Sequence, residues 1–140
     1  MPAWRDRLRR WTWADYATLC EVFVVALIVE FALRAVSLLT IGRAIEWAFG
    51  ARRIAERTTF DFDRLARFAA APYRLFRRNG TCLRESLVFS VLLRRRGVPA
   101  AIRFGVKREE GLTAHAWVDV PGIRSEVGSP FHELRGAWID

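Results

Sequence analysis

The chain has 140 residues, 52% of them hydrophobic and 13% aromatic, with a net charge of +8. That is one ordinary domain, too rich in Trp and Phe for disorder and too poor in Gly and Pro for a collagen-like or low-complexity chain. Two cysteines, Cys20 and Cys82, cannot staple a secreted scaffold, and no Cys/His cluster has zinc spacing, so no metal or cofactor is expected.

No signal peptide is evident in the basic, Trp-rich stretch of residues 1–18, so a cytoplasmic protein with free thiols is expected. Lys107 is the single lysine among 23 Lys and Arg residues. The charge permits nucleic acid, acidic peptide or anionic membrane as a partner without choosing among them. No nucleic-acid module is recognisable, and scattered arginines on helices usually form a solvated face, so nucleic acid is not expected.

Residues 19–78 read as helices almost throughout. The stretch Val22–Ile41 is about long enough to span a bilayer at ~20 residues. Glu30 and Arg34 interrupt it at i, i+4, where they can pair. The spacing therefore predicts an amphipathic helix buried against its neighbours, with the ion pair on its rim. Peripheral membrane contact stays open and is favoured over a span. Gly42 and Gly50 bracket a short turn or helix. The next helix is expected over Asp61–Ala70, capped by Asp61 or Thr59, striped by Phe62, Leu65, Ala66 and Ala69, and ended by Pro72. Nothing in residues 1–78 looks catalytic.

A further helix is predicted over 82–96, with Thr81 as N-cap, Leu83, Leu87, Val91 and Leu92 on one face, Arg94 to Arg96 at its negative end, and Gly97 as terminator. This puts Cys82 in the first turn, where free backbone N–H groups favour a thiolate. Ala101–Lys107 alternates like a strand, Arg108–Gly111 is a hairpin loop, and Thr113–Val120 is a second strand. Pro121–Gly122 then turns into a third strand, Ile123–Val127. In that register His115 opposes Gly128, and Glu126 lies one diagonal step from His115 on the same face.

Cys82, His115 and Glu126 thus form a nucleophile, a base and an orienting carboxylate suited to thiol chemistry. Asp119 is the competing carboxylate. Four residues along one strand put it roughly 13 Å from His115, out of reach. Taken singly, a Cys at a helix start is more often a small buried hydrophobe, and a His on a strand a satisfied core residue. The conjunction is what favours chemistry. His132 reads as a surface residue.

Thr81-Cys82-Leu83-Arg84-Glu85-Ser86, Leu92-Leu93 with Gly97, Phe104-Gly105-Val106 and Ala114-His115-Ala116-Trp117-Val118 with Gly122 resemble the transglutaminase-like leader peptidases of lasso peptide biosynthesis, over about residues 60–128. The resemblance implies an α+β, papain/transglutaminase-like cysteine peptidase core over 79–140, behind an N-terminal helical subdomain over 1–78, together one compact unit. It implies that Cys82 is the nucleophile, His115 the general base and Glu126 the acid. The substrate would be a ribosomal precursor peptide, and the partners a separate leader-recognition protein and the macrolactam-forming lasso cyclase. With no segment to spare for leader recognition, the chain is expected to be the stand-alone protease half. The alternative is a non-catalytic peptide- or membrane-binding adaptor that keeps the fold.

Overall fold

The computed structural model describes residues 11–50, 61–76, 81–108 and 111–121, together with the backbone of 132–133. Within them four helices pack beside a small antiparallel sheet, an α+β architecture.

Helix α1 is Trp13–Ala35. It starts where the Asp15 carboxylate accepts from the backbone N–H of Thr12 at 2.7 Å and from its hydroxyl at 3.0 Å. These bonds use an amide the helix itself leaves unpaired. One face buries Val22, Val25, Ala26 and Val29. The opposite face is also apolar, with Val24, Leu27, Ile28 and Phe31 exposed. The expected amphipathic pattern therefore holds on the inward side only, and α1 is long and apolar enough to cross a membrane by length and composition.

The predicted continuous helix from Val22 to Ile41 is two helices. Val36 and Ser37 are extended, and the Ser37 hydroxyl accepts from the Thr40 backbone N–H at 3.3 Å to start α2, Leu38–Phe49. A serine that supplies a local acceptor makes a new helix start cheaper than continuation. Gly42 accordingly lies inside α2 and is buried, rather than opening a turn.

Helix α3, Phe62–Leu75, is capped by Asp61, which accepts from the Arg64 N–H at 3.0 Å. Pro72 does not end it. The ring removes one backbone donor, but Pro72 and Tyr73 are both buried, and their packing carries the helix to Leu75.

Helix α4, Cys82–Arg95, crosses the middle of the molecule, with Leu87, Val88, Leu92 and Leu93 fully buried. Its end is a Schellman turn. Gly97 takes φ 76°, its N–H donates to the Arg94 carbonyl, and the Val98 N–H donates to that of Leu93, each at 3.0 Å. The predicted N-cap is corrected: the Thr81 hydroxyl makes no cap bond and instead donates to the Glu85 carboxylate at 2.6 Å.

Strands β1, Ala101–Arg108, and β2, Leu112–Asp119, form the predicted hairpin, and β3, His132–Glu133, pairs with the other edge of β1. The expected third strand at 123–127, its pairing with β2 and Gly128 lie outside the described residues. One buried cluster joins Val22, Ile45, Leu65, Leu87 and Ile102, so helices and sheet share a core across residue 78.

Candidate active site

The site forms where the start of α4 meets the middle of β2. Cys82 is a free, half-buried cysteine at the first position of α4, and His115 stands half-buried on β2. The two side chains line the same two adjoining cavities, one of about 500 Å³ and one of about 240 Å³. The remaining cysteine, Cys20, is exposed on α1.

Several bonds hold this geometry. The Ser86 hydroxyl, one helical turn after Cys82, donates to the Ala116 carbonyl at 3.1 Å, and Ser86 is itself buried. Arg84 reaches across to Glu30 of α1, its Nε 2.6 Å from the carboxylate. The other end of α4 is clamped too. The buried Arg94 donates to the Ala100 carbonyl at 3.0 Å and to Glu46 of α2 at 2.7 Å, while Arg95 and Arg96 both meet Glu21 of α1. These arginines are inter-helix ties rather than a solvated face. Glu30 reaches Arg34 only at 3.8 Å, so its closer link is the one to Arg84.

On β2, His115 stacks over Trp117 with ring centroids 6.2 Å apart. Directly across the ladder from His115 stands Gly105 of β1. Asp119 opposes Ala101 at the far end of the same strand, and its carboxylate lies 3.6 Å from Arg103. Glu126 lies outside the described residues. His132 is in β3 opposite Val106.

The arrangement suits acyl transfer at sulfur. A thiol at a helix start and an imidazole on the strand packed against that helix, both lining the same cavities, are the groups such a reaction needs. The first-turn N–H groups of α4, that of Cys82 among them, have no acceptor within the helix and are the donors a developing oxyanion would call on. No group of three or more His, Cys, Asp and Glu side chains able to hold a metal occurs among the described residues. Sequence reasoning missed the Ser86–Ala116 bond. The Cys-Leu-x-x-Ser spacing held the signal, because i+4 puts Ser86 on the face of Cys82.

The profile described as the transglutaminase-like superfamily matches residues 23–130, from inside α1 to beyond the sheet hairpin. No curated protein and no solved structure matches the chain.

Proposed function

The chain belongs to the transglutaminase-like superfamily, and from that membership we propose that it is a cysteine peptidase which removes the leader from a lasso precursor peptide. The observation that carries this is the shared position of Cys82 and His115 on two cavities, with Ser86 tying helix to strand.

In this mechanism His115 takes the Cys82 proton, and the sulfur attacks the scissile carbonyl carbon. The oxyanion is met by first-turn N–H groups of α4. The imidazolium then protonates the departing amine, and water, deprotonated by His115, hydrolyses the thioester to release the leader acid and restore the thiol. Glu126 orients the imidazole, and Asp119, engaged near Arg103, does not. The hydrolytic step calls for neither metal nor nucleotide.

The partners this function calls for are a separate leader-recognition protein and the lasso cyclase that receives the core peptide. The setting is the cytoplasm. The recognition protein would accelerate cleavage mainly by raising the local substrate concentration.

Mass spectrometry of the precursor peptide, with the recognition protein present, tests the proposal. Leader removal is expected with wild type and lost with Cys82→Ala and His115→Ala. Removal that continues undiminished with folded Cys82→Ala protein overturns it.

A further inference from the structure

The two cavities that meet at Cys82 and His115 differ in chemistry. The smaller has Glu85 and Ser86 in its wall. The larger, about 500 Å³, is walled by Leu38 and Leu39 of α2, Leu83 of α4, Phe104 of β1, and Ala114 and Ala116 of β2. That volume is within the ~300–1,000 Å³ of small-ligand pockets. No Asp, Glu, Lys or Arg lines it among the described residues.

We propose that this larger cavity is a specificity subsite that takes a bulky apolar side chain of the substrate, aliphatic or aromatic, close to the bond that is cut. The identity of the occupant as a peptide rests on the peptidase function proposed above.

Three features carry the inference. The space is kept open by small residues: Gly105, directly opposite His115, contributes no side chain, and Ala114 and Ala116, the neighbours of His115 along β2, contribute only methyl groups. Apart from the reacting pair Cys82 and His115, its described walls give a charged side chain no ionic partner, so a charge entering would lose hydration largely uncompensated, whereas an apolar group only gains. Its outer wall comes from the helical half of the chain. The break at Val36–Ser37 brings Leu38 and Leu39 to the rim, so residues that offer no catalytic group help choose the substrate.

Two measurements test this. In the first, Cys82 is alkylated by iodoacetamide and by N-benzyl iodoacetamide, the sulfur displacing iodide in both. Exposed Cys20 serves as the internal reference. Cys82 is expected to favour the benzyl reagent relative to Cys20 by roughly 10-fold or more, the scale on which apolar pockets discriminate. Leu39→Asp should abolish that preference, and Leu75→Asp, exposed on α3, should keep it.

In the second, a mixed-sequence peptide library is digested, with Cys82→Ala as blank. Cys82-dependent cuts should cluster beside Leu, Ile, Phe, Met or Trp, and Leu39→Asp should scatter them. Cys82-dependent cuts without that clustering, or a clustering unmoved by Leu39→Asp, overturn the subsite and leave the peptidase standing. A benzyl preference with no Cys82-dependent cleavage of either library or precursor keeps an apolar site and overturns the peptidase. Equal labelling by both reagents overturns the subsite outright.

Discussion

The Ser86 hydroxyl donates to the carbonyl of Ala116 at 3.1 Å, which fastens the helix turn beginning at Cys82 to the strand residue next to His115. Each partner is one step from a residue of the proposed catalytic pair: Ser86 is a turn beyond Cys82, and Ala116 follows His115. This buried hydrogen bond is therefore the tie nearest to both Cys82 and His115 among those that hold helix and strand together.

Ser86→Ala should cost on the order of 10- to 100-fold in kcat/KM, because small misplacements of reacting groups carry losses of that size. The fold should survive, since removing one partner of a buried hydrogen bond costs about 1–3 kcal/mol. A steady-state assay beside a thermal melt separates these effects. A folded Ser86→Ala enzyme with wild-type kcat/KM would remove Ser86 from the positioning role.

Removing the orienting carboxylate should hurt less than removing nucleophile or base. Glu126→Ala is expected to retain more activity than Cys82→Ala or His115→Ala, and Asp119→Ala to stay near wild type. Single-turnover cleavage of the precursor ranks the four. A dead, folded Asp119→Ala protein beside an active Glu126→Ala protein would reverse the assignment.

Arg94 is buried and serves two acceptors on different elements, the Ala100 carbonyl and Glu46. Arg94→Lys should lower stability by about 1–3 kcal/mol, since one ammonium cannot reproduce the fork and leaves a buried carbonyl unpaired. Urea titration gives the value. An unchanged midpoint would mean that the clamp contributes nothing.

The Asp15 carboxyl is held below the ordinary aspartate range, first by the Thr12 backbone N–H and also by the Thr12 hydroxyl and Arg64 of α3, against an opposing effect of burial. A depressed folded pKa stabilises the fold above the unfolded value of about 3.9. That contribution is lost as pH falls through the lower folded value. Asp15→Asn should therefore lower Tm at pH 7, and the gap from wild type should narrow in strong acid. Melting curves from neutral to acid pH check it; a gap that widens as pH falls would contradict the sign.

Helix α1 passes the length and hydropathy test for a span, yet Asp15, Glu21 and Glu30 on it are tied to arginines of α3 and α4. Spanning would break those ties and place charges in hydrocarbon at roughly 2.5–3.5 kcal/mol each near the centre. Alkaline carbonate should therefore release the wild-type protein from membranes. Retention in the pellet would show that α1 inserts.

The hairpin, the Gly97 terminator, the Asp61 cap and the position of Cys82 at a helix start were all legible in the sequence, because each depends on residues a few places apart. Turn glycines, cap side chains and strand alternation act locally, and local chemistry is written in order along the chain. Membership of the transglutaminase-like superfamily was legible as well, through short motifs of neighbouring residues. What tertiary structure decided is of another kind. Ser37 splits a continuous apolar run because Leu38–Phe49 finds a separate place against α4, and α3 runs through Pro72 because Pro72 and Tyr73 are buried. Arginines that read as a solvated face become clamps only once Glu21, Glu30 and Glu46 arrive from residues 48 to 75 positions away. The apolar cavity beside Cys82 draws its walls from α2, α4 and both strands of the hairpin. No periodicity along the chain encodes such a space, since it exists only between elements that long-range packing brings together.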